Sequence, residues 1–456
     1  MDLNGKQVLV FGAGISGVAA SQLLLEEGAN VVLYDGNESL NAEIIRSNIL
    51  DGVQNSHTGD VQVVLGTLPE EMLDTLALTV MSPGVPTKLP IVEQMREKNI
   101  PIWGEIELAY VYGKGDVLAI TGTNGKTTTT ALLGEIMKAY NEHTYVVGNI
   151  GNPYTSVALS IPEDSVTVAE MSSFQLETVH TFAPKVSAIL NITPDHLDRH
   201  GTMEAYIDAK KNIAKNQTAE ETCVLNYEDE VTREFGKEIQ SQVIYFSSQR
   251  KLEQGIYLDG DNIIYNVGEP VLVCNVNDLK LLGMHNYENV MAAVAMAAAY
   301  GVPMDSIRKT ICEFQGVAHR IEFVAEKNGV AYYNDSKGTN PDAAIKGIHA
   351  MNRPTLLIGG GYDKNSSYGE WIDAFDGKVK KLVLIGKTRE KIAKEAKEHG
   401  FTDYVFADSF EEAVQICVDN AVSGDAVLLS PACASWGMFN NYEERGDKFK
   451  ELVNQL

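Results

Sequence analysis

A chain of 456 residues exceeds what one hydrophobic core usually supports, so two or three domains are expected. The composition, 44% apolar and 22% charged, is that of an ordinary globular protein, and a net charge of −25 without a clustered basic stretch argues against a general nucleic-acid binder. The five cysteines (Cys223, Cys274, Cys312, Cys417 and Cys433) are scattered without a Cys-x-x-Cys, which reads as reduced thiols in a cytosolic chain and excludes a disulfide frame or zinc site.

Met1-Asp2-Leu3-Asn4 leads straight into a strand, so no signal peptide is expected. The strand Gln7 to Phe11 runs into Gly12-Ala-Gly14-Ile-Ser-Gly17. A helix over Val18 to Gly28 follows, then a strand from Asn30 to Tyr34 ending at Asp35. Gly-x-Gly-x-x-Gly behind a strand, with an acid about 20 residues on, is the dinucleotide fingerprint. Taken alone it says nicotinamide-dependent dehydrogenase; the same physics also suits a βαβ unit holding another nucleotide. Val80 to Pro86 reads as a strand entering a Pro/Gly turn of the kind that lines ligand crevices.

A second block begins near Ile106. Its strand Val117 to Ile120 breaks into Gly122-Thr-Asn-Gly-Lys-Thr127 and a helix opening at Lys126. Strand, glycine loop and Lys-Thr helix start make a phosphate cradle: glycines admit the anion, Lys126 neutralises it, and the Thr127 hydroxyl can hold Mg²⁺. Under the general spacing rule the first glycine would fall at Ile120; Gly122 comes two residues later. The strand Ser165 to Ala169 ends at Glu170, where a carboxylate is expensive unless it meets a cation or water. The strand Val186 to Ile192 leads to Thr193-Pro-Asp-His196, and His196 reads either as a metal ligand or as a hydrogen-bonded loop histidine. Lys210, on a helix from Met203 to Lys215, is a surface lysine by spacing alone. Val290 to Tyr300, the longest apolar candidate, is Ala-rich and reads as a buried helix; no run reaches the roughly 18 residues of a membrane span.

A third block starts near Gly316. Its strands Val330 to Asn334, Pro354 to Ile358, Lys381 to Ile385 and Ala426 to Leu429 alternate with helical stretches in a βαβ pattern. Asp335-Ser-Lys-Gly-Thr339 and Ser430-Pro-Ala-Cys-Ala-Ser435 are strand-end loops, donor-rich enough for a carboxylate ligand and equally readable as plain turns.

Taken in order, these segments resemble the Mur ligase family of ATP-dependent amide-bond-forming enzymes. The resemblance runs the whole length. It is carried by Gly12 to Gly17, Ser82-Pro-Gly84, Gly122 to Thr127, Gly148-Asn-Ile-Gly151, Glu170 to Leu176, Asn191 to Arg199, His285 to Asn289, His319-Arg320, Asn334 to Asn340, Gly359 to Lys364 and Leu429 to Ser435. Ser172 to Leu176, Ser430 to Ser435 and Asn441 to Gly446 are characteristic of the D-glutamate-adding member.

The resemblance implies an α/β fold of three domains. These are a Rossmann-like domain over 1–105, a central P-loop ATPase-type domain over 106–315 and a Rossmann-like C-terminal domain over 316–456. It implies a ligase joining UDP-N-acetylmuramoyl-L-alanine to D-glutamate with ATP and Mg²⁺; with no signal peptide or membrane span expected, the chain is read as a cytoplasmic monomer without membrane insertion. The first block would then hold a UDP-sugar, not NAD. Gly14, Ile15, Ser16, Asp35, Ser82 and Gly84, with Asn149, Ser172 and His196, would face it. ATP would meet Gly122, Thr123, Asn124, Gly125, Lys126, Thr127 and Thr128, with Asn286, Asn289, Arg320 and Asp335. D-glutamate would meet Thr339, Lys364, Ser435 and Tyr442. Thr127, Glu170, His196 and a carbamylated Lys210 would hold Mg²⁺, with Lys211 the alternative to Lys210; Lys126, Lys210, His196 and Arg320 would carry catalysis. Gly36-Asn37 lacks the hydroxyl and guanidinium of some relatives. The competing readings are a sibling ligase, a folylpolyglutamate synthase, the dehydrogenase, and a regulatory P-loop NTPase.

Overall fold

The computed structural model describes residues 2–53, 59–149, 151–364 and 366–456. It is an α/β protein with three sheets, and the chain divides into two compact units, Met1–Cys274 with Asn289–Thr310, and Asn275–Glu288 with Ile311–Leu456.

The first sheet of the first unit has the order Val61–Leu65, Asn30–Asp35, Gln7–Phe11, Leu76–Met81, Ile102–Gly104, with every pair parallel. Its strands are largely apolar, as strands covered by helices on both faces are; Val8, Leu9 and Val10 are fully buried. The order reverses beside Gln7–Phe11. Gly12 and Ser82 therefore end neighbouring strands at the switch point, where open α/β sheets bind ligands. The predicted helix Val18 to Gly28 is Ile15–Glu26: extended Gly14 starts it earlier, and Gly28 (φ 79°) reverses the chain beyond its end. Gly17 is required by packing, since a Cβ there would lie 1.8 Å from Gly12 O.

The second sheet runs Glu269–Asn275, Asn262–Val267, Gly255–Asp259, Gln242–Ser247, Thr222–Asn226, Val186–Ile189, Asp116–Thr121, Val166–Glu170, Thr144–Gly148. The pairs from Thr144–Gly148 to Gly255–Asp259 are parallel, and Gly255–Asp259 pairs antiparallel with Asn262–Val267. The five strands from Thr222 onward carry no sequence motif and extend the sheet. The strand predicted over Val186 to Ile192 stops at Ile189, because Asn191 O turns to accept from Thr123 N at 2.9 Å. The helix predicted to Lys215 ends at Lys211 and tightens into a 3₁₀ turn over Asn212–Ala214. Buried Glu107 accepts from the main-chain N–H groups of His180, Thr181 and Phe182, fixing the helix Glu105–Tyr112 behind the first sheet onto the second-sheet region.

In the second unit the sheet order is Glu322–Lys327, Val330–Asn334, Ala426–Leu429, Thr355–Gly361, Val379–Gly386, Tyr404–Phe406. All its pairs are parallel except the antiparallel pair of Glu322–Lys327 with Val330–Asn334. The Ala-rich helix spans Met284–Tyr300, and Val290 to Ala297, which belong to the first unit, are fully buried. Among the described residues no helix is long and apolar enough to cross a membrane.

Candidate active site

The phosphate loop leaves the strand Asp116–Thr121 through Gly122 and reaches the helix Lys126–Tyr140 through Gly125. Gly125 sits in the left-handed region (φ 86°), and a Cβ there would meet Asn289 Oδ1 at 2.2 Å. The N-cap has no side-chain bond, so the first-turn N–H groups face outward for an anion. Asn191 holds the loop: its Oδ1 accepts from Asn124 N at 2.8 Å and its Nδ2 donates to Asn124 O at 3.1 Å. The Thr123 hydroxyl donates to Thr193 O at 3.0 Å and meets the Tyr206 hydroxyl at 2.9 Å. Lys126 Nζ curls over the loop and donates to Gly122 O and Thr123 O, each at 2.9 Å. Thr127 is half-buried on the first turn, and Thr128 is buried behind it.

Lys210 is buried, with Nζ donating to Gly122 O at 2.7 Å and lying 4.8 Å from the Tyr206 ring centre. Burial pushes its amine down to about 7, and the charge of Lys126 pushes the same way. Lys211 instead points to Glu238 at 3.5 Å.

Glu170 ends its strand between Ile120 and Gly148 on the neighbouring strands. Its Oε1 accepts from Asn149 Nδ2 at 2.8 Å; its Oε2 is buried without a hydrogen-bond partner. A buried anionic oxygen left unpaired costs free energy unless a cation meets it. Among the described residues no three His, Cys, Asp or Glu side chains gather as a metal cage. One carboxylate, the Thr127 hydroxyl and incoming phosphate oxygens are hard donors that suit Mg²⁺, which keeps several waters, so the residues fit that ion. His196 lies in the left-handed region (φ 50°), a conformation that costs about 1–3 kcal/mol for a non-glycine residue. Its half-exposed ring packs 5.0 Å from that of Phe174, and Nε2 is 3.4 Å from Asp195 Oδ2.

The switch point of the first sheet opens into a crevice of about 940 Å³ that gathers Gly14, Ile15, Ser16, Asp35, Ser82, Gly84 and Asn149. Asp35 Oδ2 accepts from Ala13 N and Oδ1 from Asn37 N, both at 2.9 Å, so the carboxylate shapes the glycine loop. Ile15 is 80% exposed there. Ser172 and His196 do not line this crevice; Ser172 is engaged with Gln175 in a capping box.

In the second unit, burial drives the Asp335 carboxyl up to about 7, although Ser430 Oγ donates to it at 2.7 Å and Ile321 N at 3.3 Å. The charges of Arg320 and Arg445 act against that rise. Arg320 stands between two left-handed residues, His319 (φ 64°) and Ile321 (φ 46°). Asn286 is buried and donates to Leu282 O at 2.8 Å. Ser336 gathers the neighbourhood of Tyr442: its hydroxyl donates to Tyr442 O at 2.8 Å and accepts from buried Arg445 Nε at 2.9 Å. Thr339 N donates to Lys337 O at 2.8 Å in the same loop. The bridge between Tyr362 and Ala434 sets Lys364 beside the Ser435 segment, with Lys364 Nζ 5.1 Å from the Trp436 ring centre.

Lys126, Gly122, Lys210 and Thr123 thus meet directly, as do Glu170 with Asn149 and Gly125 with Asn289. Asn191, Tyr206, Ser430 and Arg445 received no individual role in the sequence reading. Asn191 could have been found from its place behind a strand; the others are set by tertiary contacts alone.

The Mur ligase MurD-like N-terminal domain matches residues 6–104, the Mur ligase middle domain 120–297, and the Mur ligase, glutamate ligase domain 319–433. The chain is 57% identical to the UDP-N-acetylmuramoylalanine--D-glutamate ligase of Lachnospira eligens, covering 100% of both chains, and 45% identical to that of Clostridioides difficile at the same coverage. Among solved structures it resembles a UDP-N-acetylmuramate-alanine ligase from Thermotoga maritima, with a TM-score of 0.57, 18% identity and 99% of each chain covered.

Proposed function

The chain belongs to the Mur ligase family, and on that premise we propose that it adds D-glutamate to UDP-N-acetylmuramoyl-L-alanine at the expense of ATP, in peptidoglycan precursor synthesis. The observation that carries the reading is the cradle in which Lys126 and Lys210 converge on Gly122 O, within a chain whose full-length relatives bear that activity.

The substrate's L-alanyl carboxylate attacks the γ-phosphorus of ATP, an O–P bond forms, and ADP leaves with the broken bond's electrons. The D-glutamate amine then adds to the acyl carbon, loses a proton, and the tetrahedral intermediate expels phosphate. No protein nucleophile is needed, so catalysis is positioning and charge neutralisation.

Lys126 and the first-turn N–H groups of its helix bind the transferring phosphoryl group, with Gly122, Thr123, Asn124, Gly125, Thr127, Thr128, Asn286, Asn289, Arg320 and Asp335 completing the ATP site. Thr127, Glu170, His196 and carbamylated Lys210 would hold Mg²⁺, which when bound neutralises phosphate charge. Lys210 reaches its modified form as a neutral amine: Nζ adds to CO₂, a C–N bond forms and a proton leaves to solvent. The crevice with Gly14, Ile15, Ser16, Asp35, Ser82, Gly84 and Asn149 takes the UDP-sugar, assisted by Ser172 and His196. Thr339, Lys364, Ser435 and Tyr442 take D-glutamate. Domain boundaries after 105 and 315, a cytoplasmic site of action and a monomeric state complete the proposal; sheets drawn from separate stretches of chain support the boundaries.

The test is phosphate release with UDP-N-acetylmuramoyl-L-alanine against a panel of D- and L-amino acids. Release that needs D-glutamate is expected. Release without any amino acid would mark an NTPase, and NAD binding without ATP dependence a dehydrogenase.

A further inference from the structure

The turn that closes the UDP-sugar crevice is tied by three neighbouring residues to the segment carrying His196 and to Glu177. Val85 O accepts from Arg199 Nη2 at 3.0 Å, Thr87 Oγ1 donates to Glu177 Oε2 at 3.4 Å, and Lys88 Nζ donates to His200 O at 3.5 Å. The same turn presses on the glycine loop, where Ser82 Oγ donates to Gly12 O at 3.3 Å and a Cβ at Gly12 would lie 2.9 Å from Ser82 Cβ. On its far side Arg199 stacks 4.0 Å from the centre of the Phe174 ring and reaches Glu177 Oε2 at 3.4 Å. Glu177 Oε1 pairs with His200 Nδ1 at 3.2 Å, and the His200 ring lies 5.3 Å from that of Tyr206, whose hydroxyl meets Thr123 of the phosphate loop. With Ser82, Val85 and Thr87, Arg199 also lines a small cavity of about 10 Å³ behind the turn.

We propose that Arg199 is a positioning residue that sets the distance between the nucleotide-sugar crevice and the phosphate loop, so that the substrate carboxylate reaches the γ-phosphate. The role rests on the function proposed above. Arg199 suits it because a planar guanidinium can bond the Val85 carbonyl and the Glu177 carboxylate while its face lies on Phe174; an ammonium cannot do all three at once. The guanidinium is largely buried (15% exposed), so its bonds escape the screening that makes surface pairs weak. Uridine and diphosphate would sit in a crevice that Arg199 does not line, whereas the reacting carboxylate depends on where the crevice lies relative to Lys126.

The experiment compares the full-length chain with Arg199→Met, Arg199→Lys and Glu177→Gln. It measures the Kd of UDP, kcat and KM for the nucleotide-sugar substrate, and the melting temperature. In Arg199→Met, UDP affinity is expected within about twofold of the parent while kcat falls at least about tenfold, part of the roughly hundredfold that an ångström of misplacement can cost. Arg199→Lys recovers part of kcat. Glu177→Gln, which keeps the side-chain shape but removes the carboxylate that Arg199 and His200 meet, lowers kcat in the same direction and decides the matter if Arg199→Met does not fold. Unchanged kcat, or UDP affinity, stability and kcat falling in step, overturns the positioning role. A parent chain that binds UDP yet never turns over with D-glutamate removes the assigned activity, and the positioning role with it.

Discussion

Lys126 Nζ and Lys210 Nζ donate to the same oxygen, Gly122 O, at 2.9 and 2.7 Å. Two ammonium groups on one carbonyl repel, and Lys210, being buried, yields: its amine drops to about 7, by burial first and by Lys126 second. An ordinary lysine is less than about 1% neutral at pH 8. The neutral fraction of Lys210 grows about tenfold between pH 6 and 8, since it rises as pH passes through the lowered value. Carbamate formation at fixed dissolved CO₂ should grow with it. A ¹³CO₂-derived carbamate resonance that appears over this range, vanishes in Lys210→Arg and persists in Lys211→Arg is the expected result.

Lys126→Ala should abolish acyl-phosphate formation while leaving UDP-sugar binding nearly intact, because Lys126 bonds the phosphate loop and the crevice is lined by other residues. Removing its charge also relieves Lys210, so the carbamate profile should move to higher pH. Phosphate release, substrate titration and the carbamate signal read the three outcomes. Turnover retained in this variant would defeat the assignment of Lys126.

Glu170 Oε2 is buried without a partner while Oε1 is held by Asn149. Mg²⁺ with ATP is therefore expected to raise the melting temperature of the parent chain; a ligand at a hundred times its Kd contributes about 2.7 kcal/mol. Glu170→Gln keeps the side-chain shape and removes the anionic oxygen. It should lose most of the Mg²⁺-dependent part of the shift and little of the part given by ATP alone, as thermal denaturation with and without Mg²⁺ would show.

Gly17→Ala places a methyl group 1.8 Å from Gly12 O, against backbone that cannot step aside. Overpacking of this kind costs about 1–3 kcal/mol, and here it must part the helix Ile15–Glu26 from the glycine loop it follows. Chemical denaturation should report the loss, with weaker UDP binding. Gly14→Ala, where a Cβ would meet nothing within 4 Å, is the control for stability.

The glycine patterns at Gly12 to Gly17 and Gly122 to Lys126 were legible because backbone sterics leave few alternatives to glycine there. Apolar strands such as Ala426–Leu429 were legible because burial on both faces leaves no alternation to confuse the pattern. The strands from Thr222 to Asn275 were not legible, since they extend a sheet and carry no chemistry. Lys210 illustrates the harder limit. Its helix spacing gives a surface lysine, yet it is buried because the helix Met203–Lys211 packs that face under the phosphate loop. Arg199 and Arg445 are hard to read for the same reason: each has a partner over a hundred residues away in sequence, at Val85 and Ser336.

Asp335 carries the sharpest pH expectation. Burial raises its carboxyl from 3.8 to about 7, so the folded state holds a proton that the unfolded chain has already lost above 3.8. Its contribution to stability is full below 3.8 and is lost progressively as pH rises through about 7. Asp335→Asn keeps the shape and removes the titration. Relative to the parent, the variant should gain stability as pH rises from 5 to 7.5, by about 1.4 kcal/mol per unit at most. Because the other carboxylates titrate alike in both chains, the difference between the two pH profiles isolates Asp335. Parallel profiles in chemical denaturation would mean that Arg320 and Arg445 hold the carboxylate ionised despite its burial.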